Sequence, residues 1–172
     1  MSELPPHSLF EKIYRRHGHR CPMSTLGGRL GHAARSFLGA VPDDRLSAVY
    51  HARTCALDGI FVATGCDESD GRMGVREDGR HLLHLFDHTS GEGVAVSLQK
   101  SALEIAWEYR CASQKLDVER PGIGAEELNR REHELESLLD SVLDRLRNLP
   151  DDNLLVVQPI KMCPEDGMTL YA

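Results

Sequence analysis

No two cysteines in this 172-residue chain stand in a C-x-x-C spacing, which excludes a thioredoxin-like redox pair, a covalent haem-attachment motif and a self-contained zinc ribbon. The five that are present, Cys21, Cys55, Cys66, Cys111 and Cys163, are odd in number and widely spaced. A disulfide framework is therefore not expected, and any metal site must be assembled from distant segments. Long apolar runs are missing too. Nothing approaches the length of a membrane span, and the N-terminus has no succession of basic, apolar and small residues, so the expectation is a cytoplasmic protein with no membrane partner. Positive charge is in deficit: 20 Lys and Arg against 27 Asp and Glu leave a net charge of -7. That disfavours nucleic acid as a general partner and leaves only a local basic patch at Arg15-Arg16. A glycine-rich phosphate loop, a nucleophile elbow and a paired acid and base are all lacking.

What remains is a globular composition, 41% hydrophobic and 27% charged, in a chain long enough for one domain with a real core, or a domain with a helical appendage. Its chemistry is concentrated in His17-Gly18-His19-Arg20-Cys21-Pro22. Two imidazoles and a thiol fall within five residues there, beside a glycine that allows a sharp bend and a proline suited to the first position of a helix. Imidazole nitrogen and thiolate sulfur are ligands for zinc and related transition metals.

A short helix with Leu9, Phe10, Ile13 and Tyr14 on its apolar face leads into that stretch. With Cys21 as N-cap and Pro22 at the first position, a second helix is expected to about Leu38, closed by Gly39 and Pro42. Gly27, Gly28 and Gly31 inside it each cost about 1 kcal/mol relative to alanine. Close packing would offset this, with Gly27, Gly31 and Ala34 forming a small-residue stripe for another backbone. A strand signal over 45–54 is followed by Thr54 to Cys66, which reads as a helix capped by Thr54 and closed by Gly65. Cys55 then lies at a helix start, as Cys21 does, where the macrodipole favours thiolate. Asp58 shares its face and is placed to orient a histidine. Cys66 would lie about 15 Å from Cys55 along such a helix, too far to share one ion within a single protomer unless the segment bends or a second copy supplies it.

These motifs together resemble the FmdE family of formylmethanofuran dehydrogenase subunits: His17 to Pro22, Leu26-Gly27-Gly28-Arg29-Leu30-Gly31, Cys55-Ala56-Leu57-Asp58-Gly59-Ile60 and Thr64-Gly65-Cys66, in that order, over roughly residues 10 to 110. The resemblance implies an α+β domain, often dimeric, with a His/Cys pocket that holds a metal, commonly zinc. Residue by residue it points to His17, His19, Cys21, Cys55, Asp58 and Cys66, with Thr64 and Gly65 as cofactor-side residues. After Cys66 this chain departs from the family pattern, having the acidic Asp67-Glu68-Ser69-Asp70 in place of a glycine-rich turn. The catalytic Mo/W cofactor of the enzyme complex belongs to its other components, so its chemistry is not carried over.

Downstream, His81 to His88 and Val94 to Leu98 read as a hairpin. Its histidines are expected to be surface or edge residues, with His84 or His88 as possible pocket members. Lys100 to Leu116 reads as a helix with Cys111 in the core. Beyond the break at Pro121 to Gly124, Ala125 to Leu149 is a long charged helix with Leu128, Leu135, Leu138, Leu139, Val142, Leu143 and Leu146 on one face, and Leu154 to Val157 a short buried strand. Cys163 stands alone, where longer relatives carry a cysteine-paired zinc-binding appendage.

The expected architecture is α+β: an antiparallel sheet packed with helices (residues 1–118) and a helical C-terminal extension (119–172). The glycine stripe and the long amphipathic helix both ask for cover, and a homodimer is expected to give it. The expected function is a metal-binding accessory or cofactor-handling protein. Cys21 and Cys55 converge with His19, and with His17 as ligand or pocket residue, on zinc or another transition metal, with room for a small ligand or a haem-like group. The alternatives are a thiol- or metal-dependent enzyme using Cys21 or Cys55, and a regulatory module clipped by a structural metal.

Overall fold

The computed structural model describes residues 3–162 and 169–171. Helices α1 (His7–His17) and α2 (Pro22–Leu38) come first, then strand β1 (Leu46–Tyr50), helix α3 (Ala56–Thr64) and strands β2 (Met73–Val75), β3 (Leu82–Asp87) and β4 (Glu92–Leu98). Helices α4 (Lys100–Glu119), α5 (Ala125–Asn148) and α6 (Asp151–Leu154) follow, then β5 (Leu155–Met162) and β6 (Thr169–Tyr171). The strands form one sheet in the order β2-β1-β3-β4-β5-β6. The class is α+β, as expected, but the sheet is mixed. β1 pairs with β2 in parallel, Ala48 opposite Met73, while every other neighbouring pair is antiparallel.

Helix α2 is the hub. Its apolar residues Leu26, Leu30, Ala33 and Ala34 bury against Tyr50, Leu83, Leu85, Val94 and Val96 of the sheet and Val142 and Leu146 of α5. On the sheet's other face Leu82, Phe86, Ala95 and Ile160 make a second, smaller cluster. This explains why β3 carries no apolar/polar alternation: all six of its residues are buried.

The glycines of α2 are compensated as the small-residue stripe requires. A Cβ on Gly27 would stand 2.0 Å from the carbonyl oxygen of Ala56, and one on Gly59 would stand 2.1 Å from that of Ser24. Main chain therefore meets main chain where α2 crosses α3, and alanine at either position would force the helices apart.

Arg29, in the same helix, is fully buried. It donates to the carbonyls of Leu146 (2.7 Å), Arg147 (3.1 Å) and Leu149 (2.6 Å) and to Asp151 Oδ1 (2.7 Å). These carbonyls end α5 and have no partner within the helix, so the guanidinium caps it.

The cover expected from a second copy is supplied within the chain: α3 fills the glycine stripe, and Leu139, Val142, Leu143 and Leu146 of α5 are buried. The expected short buried strand at 154–157 is also different. Leu154 closes α6, and β5 runs on to Met162 with Val156 and Val157 exposed, because only one of its neighbours, β4, is a long strand. Cys163 lies outside the described residues.

Candidate metal centre and its cleft

Helix α1 ends at Gly18, whose φ of +91° lets its amide donate back to Tyr14 while the chain reverses. The reversal puts His17, the last residue of α1, against His19, with ring centroids 4.3 Å apart. Cys21 follows as the extended N-cap of α2. Ligand atoms of His17, His19 and Cys21 all lie within 4.8 Å of one another, and no other such group of three His, Cys, Asp or Glu side chains occurs among the described residues. The turn is held from several sides. The hydroxyls of Ser24 and Thr25 donate to the Cys21 carbonyl at 3.0 and 2.8 Å, and Arg20 reaches Glu136 and Asp140 of α5.

Cys55, the N-cap of α3, comes up beside Cys21. Thr54 does part of the capping expected of it: its hydroxyl oxygen accepts from Ala56 N–H at 3.2 Å, and its carbonyl from Leu57 N–H at 3.1 Å. The expectation that the helix start favours a Cys55 thiolate is corrected. Partial desolvation of this otherwise exposed residue, then the neighbouring Cys21, push the Cys55 thiol up. Two thiols side by side resist a second negative charge, and a bound cation is what removes that penalty.

Asp58, expected to orient a histidine, is hydrogen-bonded to His17. His17 Nδ1–H donates to Asp58 Oδ2 at 2.8 Å, while Arg16 donates to Oδ1 at 3.1 Å with its guanidinium 3.7 Å from the centre of the Phe61 ring. Because a carboxylate only accepts, the proton of a neutral His17 must sit on Nδ1 and its Nε2 carries a lone pair. That Nε2 is buried and has no hydrogen-bond partner among the described residues. A histidine held by a carboxylate on one nitrogen, with the other bare among soft donors, is the arrangement that a metal-ligating histidine adopts. The residues present therefore fit a zinc-like ion.

The group opens on a cleft of about 950 Å³ between these turns and one face of α4, lined among others by His19, Cys21, Cys55, His81, Trp107 and Arg110. His81, expected at the surface, instead lines the cleft with Nδ1 3.2 Å from the Tyr50 hydroxyl, and burial lowers its pKa. The α4 wall escapes sequence reasoning as well, since its periodicity reads as ordinary core packing.

Other expected site residues lie elsewhere. Cys66 is in the core, its thiol pushed up by burial, and borders a separate pocket of about 250 Å³ with Arg16, Asp58 and Phe61. Thr64 donates to the Ile60 carbonyl at 2.8 Å, and Gly65 ends α3 in the left-handed conformation, so both serve helix termination. Cys111, expected in the core, is exposed. His88 bonds the Asp44 carbonyl, and His84 belongs to a different cluster. There His51 Nε2 lies 3.4 Å from His84 Nδ1, and His51 Nδ1 binds Asp78 at 2.7 Å.

The family model described as "FmdE, Molybdenum formylmethanofuran dehydrogenase operon" matches residues 16–156. A curated Archaeoglobus fulgidus protein described as a "Probable S-adenosyl-L-methionine-binding protein" is 27% identical over 185 positions, covering 94% of this chain and 47% of that protein. The chain thus spans about half the length of that relative. The crystal structure of a tungsten formylmethanofuran dehydrogenase FmdE-like protein from Syntrophus aciditrophicus superposes with a TM-score of 0.54 at 21% identity, over 96% of this chain and 85% of the other. At that identity the likeness is one of fold.

Proposed function

The chain belongs to the FmdE family, and from that premise we propose that it is a metal-binding accessory protein whose His/Cys group holds zinc or a similar late first-row ion at the end of a ligand cleft. The observation that carries the reading is the bare, buried Nε2 of His17, fixed by Asp58 and facing the other soft donors. His17, His19 and Cys21 form the holding set, and Cys55, the exposed thiol, completes it and is where a cleft ligand would exchange. An ion there supplies a Lewis-acidic anchoring point; the chain's own residues orient the donors and shape the space around them.

Metal analysis of untagged protein tests this. The wild type is expected to carry close to one ion per chain, Cys21→Ser to lose most of it, and Cys55→Ser to retain it with weakened affinity. Full stoichiometry and affinity in both variants would refute the ligand assignment. The relative's name makes S-adenosylmethionine one ligand to titrate into the cleft. The alternative of a nucleophilic Cys55 is supported by its exposure at the cleft but opposed by its raised pKa. Fast alkylation of Cys55 at neutral pH in metal-free protein would favour it.

No helix among the described residues is long and apolar enough to cross a membrane. A cytoplasmic setting suits the four free cysteines at 21, 55, 66 and 111. We propose a homodimer contact on the exposed apolar residues Val156 and Val157 of β5, to be checked by light scattering at micromolar concentration.

A further inference from the structure

The chemistry of the α4 wall is unevenly satisfied. Of the charged residues lining the cleft, Lys100 pairs with Glu104 at 3.3 Å and Asp117 with Arg120 at 3.6 Å. Arg110 is exposed to the cleft and has no ion pair or side-chain hydrogen bond among the described residues. One turn before it on the same wall is Trp107, the only tryptophan of the chain, with 54% of its surface exposed. A large indole left half bare beside an unpaired guanidinium offers a flat apolar surface and a planar fork of donors within one turn of helix.

We propose that the cleft receives a small aromatic carboxylate, its ring against Trp107 and its carboxylate on Arg110. Charge complementarity selects the class. Lys100 and Glu104 offset each other and Asp117 shares Arg120 with Glu132, so Arg110 is the cation of the wall left without a partner among the described residues; it matches a monoanion, and a guanidinium meets a carboxylate with two parallel hydrogen bonds. A phosphate monoester would bring a second charge that the wall does not answer. The cleft volume of about 950 Å³ is ample for such a molecule, and its opposite edge would face His19, Cys21 and Cys55. The inference deepens the metal-site reading and rests on it for that far edge alone.

The single tryptophan gives a single indole N–H resonance, which serves as the reporter. Zinc-loaded protein is titrated with benzoate, with benzyl alcohol as the neutral control and phenyl phosphate as the dianion. Benzoate should shift the resonance to saturation, the other two should bind at least tenfold more weakly, and Arg110→Gln should weaken benzoate about tenfold with zinc per chain unchanged. A fourth probe, 4-mercaptobenzoate, should bind more tightly than benzoate only when zinc is present. A missing benzoate shift, equal binding of the neutral control, or an Arg110→Gln variant that binds benzoate as well as wild type would overturn the proposal even with zinc fully bound. Arg110-dependent benzoate binding in a protein that takes up no zinc would uphold this proposal and overturn the metal reading instead.

Discussion

Replacing Arg29 with methionine keeps an unbranched apolar stem and removes every donor. In the wild type those donors serve three terminal carbonyls of α5 and the Asp151 carboxylate, whose side chain is only 12% exposed. Only the contact with Leu146 is fully buried; the others lie where water can partly replace the guanidinium. A stranded buried carbonyl costs about 1 to 3 kcal/mol, and removing the Arg29–Asp151 bond adds to this. The total expected is roughly 3 to 5 kcal/mol, the range found when one partner of a buried ion pair is removed. Urea unfolding in the presence of a chelator measures it without a contribution from bound metal, and the denaturant slope should not change. Asp151→Asn should lose less, about 1 kcal/mol, because the three carbonyls keep their donor. If Arg29→Met costs under about 1 kcal/mol, or no more than Asp151→Asn, the capping account is wrong.

Further outcomes follow from the same geometry. Asp58→Asn should weaken metal binding about 10- to 100-fold with little change in stability, measured by competition with a chromophoric chelator, because it releases the His17 tautomer. Burial lowers the pKa of His84 from 6.5 to about 4, with help from His51 and then Arg80. The folded chain thus takes this proton less readily than the unfolded chain, so the associated stability is full above about pH 6.5 and is lost as pH falls towards 4, an effect of up to about 3 kcal/mol. His84→Phe should flatten that acid limb, and an unchanged slope would count against it. Gly27→Ala should destabilise by about 1 to 3 kcal/mol through overpacking and also weaken metal binding, whereas Gly122→Ala, which has open space around it, should do neither.

Much of this was readable in the sequence because local physics carried it. Cys21-Pro22 announced the start of α2, Gly18 the reversal before it, and the small-residue stripe the close neighbour that proved to be α3. The nearness of Asp58 to the site was legible because it stands three residues after Cys55, a spacing that brings helix side chains to one face. What escaped was set by tertiary contacts. β2 is three residues long and exists through its parallel pairing with β1. The state of Cys55 depends on a neighbour 34 positions away in the chain, Cys21, which no local rule supplies. His81 and Trp107 have no motif around them; they matter because the hairpin and α4 bring them to the same space.

The Gly27 and Gly59 crossing also bears on which ion the group would accept. Cys21 and Cys55 stand less than two helical turns upstream of those glycines, so the separation of the two helix starts that carry them is inherited from a contact between main chains. Side chains adjust by changing rotamer, but a carbonyl lodged where a Cβ would be has no alternative position. The crossing is in this sense a gauge, sized before any ion arrives. At the proposed site an ion with longer bonds to sulfur would have to strain the helix pair or accept fewer protein donors, and selectivity among soft metals would then be exerted by two glycines that touch none of them.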